Sequence, residues 1–115
     1  MPMLWGMGYN FDRAYYRLVY PTALRPTFRT GGRVYPVVDL SEEGARLLFS
    51  EGSCPDHEAD LAGTIGLPGG ESISVKGRVV RVDAPFASLR LSQGVPFGVM
   101  MDQQRFLQHR LVGWR

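Results

Sequence analysis

Two short groups of residues in the 115-residue chain carry side chains suited to gripping a ligand. The first is Arg13-Ala14-Tyr15-Tyr16-Arg17, which lies on a segment with little strand pattern, preceded by Gly6 and Gly8 and followed by Tyr20-Pro21. On a loop, its two guanidinium groups can converge on one planar, anionic ligand. A guanidinium grips phosphate through paired hydrogen bonds, meets the O6 and N7 edge of a guanine, and stacks on a base. Two arginines at this spacing also suit a solvated basic face. The second group is Asp39-Leu40-Ser41-Glu42-Glu43-Gly44. Asp and Ser turn a backbone with their own hydrogen bonds, and Gly44 admits a conformation or a close approach that a Cβ forbids. The same types serve a ligand, Asp39 accepting from the N–H groups of a guanine and Ser41 meeting a phosphate. Taken alone, the segment is equally a well-made turn.

Other chemistry lacks its residues. His57 and His109 stand apart, with no Ser or Cys paired to a His in sequence context. The acids Asp56, Glu58 and Asp60 do not follow the ligand pattern of a calcium loop and suit a solvated acidic loop. Gly66 to Gly70 is not followed by the Lys-Ser/Thr of a nucleotide-hydrolase loop. Cys54 is the single cysteine, so it forms no internal disulfide, and without a CxxC or clustered His it anchors no zinc. These absences point to a binding protein with no catalytic residues, no metal and no cofactor.

The bulk composition narrows the partner. A chain of this length with 44% hydrophobic residues makes one domain with one core. Its apolar residues come in short groups broken by Gly and Pro, so no run is long enough to cross a bilayer. Met1 to Met7 has no basic residue and leads into no apolar stretch, unlike a secretory signal, and the lone thiol agrees with a reducing, cytoplasmic compartment. The net charge of +2 is too small for bulk binding of a nucleic acid polymer. Of 13 basic residues only Lys76 is lysine, and arginine is the residue for paired grips on phosphate, although a GC-rich genome also favours it. Trp5, Tyr15, Tyr16 and Tyr20 suit stacking on a base or, alternatively, the core and its rim.

The elements that must position these groups are mostly strands. Leu24 to Thr30 and Arg33 to Val38 read as a hairpin about Gly31-Gly32, with Pro36 marking an edge or a bulge. Asp39 to Gly44 then interrupts as a polar turn, and Ala45 to Phe49 restarts a strand. Ser50 to Ala59 reads as a surface loop, Leu61 to Leu67 as a strand, and Pro68-Gly69-Gly70 as a turn. From Ser72 to Val82 apolar residues alternate with polar ones, with a slip near Gly77 that suits a bulge. Phe86 to Leu91 reads as the last strand. From about residue 95 to 111 the pattern changes to a helix, with Met100, Phe106, Leu107 and Leu111 on one face. Short strands at regular spacing predict an all-β barrel or sandwich.

Taken in order, RxxxR at Arg13 and Arg17 followed by DxSxxG at Asp39, Ser41 and Gly44 resembles the PilZ domain family. The hairpin Gly31-Gly32-Arg33-Val34-Tyr35, the strand Val75 to Val82 and the segment Ser88-Leu89-Arg90-Leu91 extend the likeness from about Asp12 to the C-terminal helix. The resemblance implies a six-stranded antiparallel PilZ-type β-barrel over residues 18–115, ending in a C-terminal α-helix. Residues 1–17 would form a flexible segment and ligand clamp. It also implies a bacterial receptor for the second messenger cyclic di-GMP, bound by Arg13, Arg17, Asp39, Ser41 and Gly44, which signals to a downstream protein partner as its N-terminal loop orders. Whether one ligand or a stacked pair binds, and whether the chain is a monomer or a homodimer, stays open. The alternative is a PilZ-fold protein–protein adaptor in pilus assembly or motility with weak or no nucleotide binding, docking through the Met100, Met101, Phe106 and Leu107 face of the helix. A small barrel for single-stranded nucleic acid is the third reading, disfavoured by the low net charge.

Overall fold

The computed structural model describes residues 17–50 and 52–112. Its elements are β1 (Leu18–Val19), a single 3-10 turn (Thr22–Leu24), β2 (Thr27–Thr30), β3 (Arg33–Ser41), β4 (Gly44–Leu48), β5 (Asp60–Gly66), β6 (Ser72–Asp83), β7 (Phe86–Gln93) and α1 (Phe97–Val112). Every strand pairing is antiparallel. β2 pairs with β3 and β5, β5 with β6, β6 with β7, β7 with β4, and β4 with β3. Six strands therefore close into a barrel, as the resemblance implies, and closure leaves the ring no open edge. The two residues of β1 add a pairing opposite Asp39 and Leu40.

Period-2 alternation builds the core. Phe28, Tyr35, Val37, Ala45, Leu47, Ile65, Val75, Val79, Ala87, Leu89 and Leu91 point inward and are buried, while their neighbours along each strand face outward. Gly31 and Gly32 have φ of +56° and +81°, the left-handed pair that a two-residue hairpin turn requires. The slip expected near Gly77 is a register shift between Lys76 and Gly77, and a second lies between Val79 and Arg81.

Of the edge or bulge expected at Pro36, the edge is wrong, since β3 is flanked by β2 and β4, while a register shift lies just beyond it between Val37 and Asp39; Pro36 itself is tolerated because pairing with β4 begins only at Val37. A second expectation for β3 needs correction. Asp39 to Ser41 does not interrupt the sheet. β3 runs through these residues, and the turn shrinks to Glu42 and Glu43. Sequence reading missed this because polar residues at a strand end look the same whether they turn the chain or line an outward face.

Helix α1 buries Met100 and Leu107, and half-buries Phe106, against the barrel's own core. The face proposed for docking an adaptor's partner is thus largely occupied. Gln103 fixes the helix: the Tyr20 hydroxyl donates to its Oε1 at 2.7 Å, and its Nε2 donates to the Pro68 carbonyl at 3.2 Å. Among the described residues no helix is long and apolar enough to cross a membrane.

Candidate functional site

The outward face of β3 owes its composition to one irregularity. Tyr35 and Val37 point inward, so strict alternation would carry Asp39 and Ser41 inward too. The pairing with β4 instead skips a residue: Val37 lies opposite Leu47, but Asp39 lies opposite Arg46. The extra residue, Val38, is a bulge that reverses the parity of the residues after it. Leu40 now enters the core opposite Ala45, and Asp39 and Ser41 face out.

Cross-strand register then assembles two rows on that outer face, since residues directly opposite share a side of the sheet. One row runs Ser41, Gly44, Arg90, Arg78, Asp60 across β3, β4, β7, β6 and β5. The next runs Val19, Asp39, Arg46, Ser88, Arg81. The near ends of both rows, with Arg17 above them and Glu43 and Val80 at the rim, line a cleft of about 460 Å³. Small-molecule sites span roughly 300 to 1,000 Å³, so the space suits a nucleotide-sized ligand.

The electrostatics are set by Asp39, whose side chain is only 10% exposed. Burial pushes its carboxyl above the ordinary 3.8, and Arg17 and then Arg46 pull it back only in part. The Arg17 Nε lies 3.7 Å from Asp39 Oδ1, and the Arg17 side chain is 61% exposed, so the pair is loose. Arg46 also sits over the Phe86 ring, 4.6 Å from its centroid, which restrains its guanidinium. The Ser41 hydroxyl has only a long 3.5 Å approach to the Gly44 carbonyl and keeps most of its bonding capacity. Gly44 has no positive φ, but an added Cβ would stand 3.2 Å from the Ser41 Oγ, a tight contact that would displace that hydroxyl by a few tenths of an ångström.

The structure brings together Arg17, Asp39, Ser41 and Gly44. Arg13 lies outside the described residues. Sequence reading missed Arg46, Ser88 and Arg90, which also line the cleft. They reach it through pairings of β4 and β7 that are distant in sequence, and only their outward parity in an alternating strand marked them. A second cleft of about 630 Å³ continues the first along the barrel, sharing Val80 and Arg90 with it. No group of three or more His, Cys, Asp or Glu side chains among the described residues could hold a metal ion.

A barrel closed in this order, with a terminal helix and a DxSxxG strand pair forming one side of an outer cleft, agrees with comparison to known proteins. The family model described as PilZ domain matches residues 11–112, and the chain belongs to that family. Among solved structures it is similar to the Bacillus subtilis inhibitor of motility, MotI/DgrA, with a TM-score of 0.63 and 17% identity over 90% of this chain. The matched region is 53% of that structure, so the chain spans about half its length. Comparison with curated proteins returns no match.

Proposed function

We propose that the cleft is a receptor site for cyclic di-GMP and that occupancy is passed to a protein partner by a change of shape, without covalent chemistry. The observation that carries this reading is the convergence of Arg17, Asp39, Ser41 and Gly44, from both sequence groups, in one cleft. The chemistry matches a guanine nucleotide. Asp39 is a buried acceptor suited to the paired N–H donors of a guanine edge, Ser41 offers a weakly engaged hydroxyl to a phosphate, and Gly44 keeps the floor flat beside Ser41. Arg17 is tied weakly enough to Asp39 to turn toward a ligand at small cost.

In this reading the segment upstream of about Leu18 closes over the nucleotide, with Arg13 joining Arg17 on it. A hydrogen bond to a charged group nets roughly 1.5 to 3 kcal/mol. Two such contacts with stacking, and the remaining contacts offsetting the cost of ordering, reach the roughly 8 kcal/mol of micromolar binding. The likeness in fold to a protein named for inhibiting motility keeps the adaptor reading as the rival.

Isothermal titration of cyclic di-GMP into the whole chain, with GTP as competitor, tests the proposal. Saturable binding that GTP does not displace and that Arg17→Ala abolishes is the expected result. A folded wild-type chain that gives no binding favours the adaptor.

A further inference from the structure

We propose that Arg90 is a further ligand-binding residue of the cleft, placed to take a phosphate of the bound cyclic dinucleotide; this rests on the receptor reading above.

Register puts Arg90 at the junction of the two outer clefts. It is directly opposite Gly44 on β4 and directly opposite Arg78 on β6, so its side chain rises from the same face as both. Because Gly44 has no side chain, nothing on β4 separates Arg90 from Ser41 in that row. Arg90 and the DxSxxG group therefore border one open floor, and Arg90 lines both clefts.

Like charges directly opposite on a sheet repel. Arg78 is relieved, because its Nε holds Asp60 Oδ1 at 2.9 Å. Arg90 is not: it pairs with no carboxylate among the described residues, although it is exposed and flanked by a second cation. Arg81 is held by Asp83 at 2.8 Å, and Arg46 lies over Phe86 beside Asp39. Lys76 also lines the second cleft without a carboxylate partner, but it does not border the first, so among the described residues Arg90 is the unpaired cation common to both clefts. A ligand group with a full negative charge offsets that repulsion, whereas the neutral edge of a guanine does so less. This selects a phosphate over a base as the partner of Arg90, with Ser41 on the other side of Gly44.

The test compares wild type, Arg90→Gln, Arg90→Lys and Arg17→Ala by titration with cyclic di-GMP. In parallel, inorganic pyrophosphate is titrated while the arginine Nε–H resonances are followed by NMR, the Arg90 signal being assigned by its loss in Arg90→Gln. Arg90→Gln is expected to weaken cyclic di-GMP binding roughly ten- to hundredfold. Arg90→Lys should recover part of that loss, and the thermal midpoint of Arg90→Gln should equal or exceed that of wild type, because a repulsion has been removed. Pyrophosphate should shift the Arg90 signal. If Arg90→Gln binds cyclic di-GMP as wild type does while Arg17→Ala does not, the Arg90 proposal is overturned and the receptor reading stands. If wild type does not bind cyclic di-GMP, the receptor reading fails. A pyrophosphate shift at Arg90 then keeps it as an anion site, and no shift overturns that too.

Discussion

Asp39 shows how the free protein bears a cost at its site. Its carboxyl is held above the ordinary 3.8 chiefly by burial, so ionising it in the folded state is unfavourable. A folded-state pKa above the unfolded one gives a contribution to stability that is complete below 3.8 and lost as pH rises through the folded value. At neutral pH the fold therefore carries a poorly solvated charge. Asp39→Asn is expected to raise the thermal midpoint of the ligand-free chain at pH 7. Its advantage over wild type should grow as pH climbs from below 3.8 through the folded value, a trend that thermal melts across acid pH would follow. The same change should weaken cyclic di-GMP binding by roughly tenfold or more, because Asn turns one acceptor oxygen into a donor facing the guanine N–H groups. A variant less stable than wild type at pH 7 would show that the Arg17 and Arg46 attractions outweigh burial.

Among the elements, the β3–β4 hairpin is where sequence and structure part company. Its two-residue turn, Glu42-Glu43, takes no positive φ, so it lacks the backbone twist that holds such turns by themselves. It is held from outside instead. Leu91 N–H donates to the Glu43 carbonyl at 2.8 Å, Val95 N–H donates to the Glu42 carbonyl at 2.9 Å, and Gly94 packs against the Glu42 carbonyl so closely that a Cβ there would collide with it. Gly94→Ala should push this turn off β7, moving Ser41 and Gly44 together. We expect a loss of about 1 to 3 kcal/mol in stability, measured by urea unfolding, with a parallel loss of ligand affinity. The Gly31-Gly32 hairpin, the alternating strands and the terminal helix were legible because local spacing and turn residues specify them. The Val38 bulge was not, since Val-Val-Asp-Leu is compatible with either parity and only the pairing with β4 decides it. β1 and the 3-10 turn are too short to leave a periodic mark. Arg46 and Arg90 reach the cleft only through the pairings that close the barrel. The motif residues Asp39, Ser41 and Gly44 were legible as a set, but as a turn, when they in fact lie on the paired ends of two strands, with Ser41 opposite Gly44 and Asp39 opposite Arg46.

At the scale of the whole molecule, the site and the helix belong to one connected body. Arg17 leads directly into β1, β1 pairs with the Asp39 end of β3, and Tyr20 just beyond it is hydrogen-bonded to Gln103 of α1. A ligand that engages Arg17 and Asp39 therefore stabilises a unit that includes the barrel's seam and its helix, and its binding should register in global unfolding. A ligand specific to the native state adds RT ln(1 + [L]/Kd), about 2.7 kcal/mol at a hundredfold excess over Kd. For a domain of about this size one kcal/mol moves the midpoint by roughly 4 to 8 °C. Saturating cyclic di-GMP is thus expected to raise the midpoint by roughly 10 °C or more in a single cooperative transition, with GTP giving no comparable shift and Arg17→Ala showing none. If the ligand instead split the transition in two, with the helix melting first, the Tyr20 to Gln103 link would not carry the ligand's stabilisation. The signal would then have to leave through the barrel face itself.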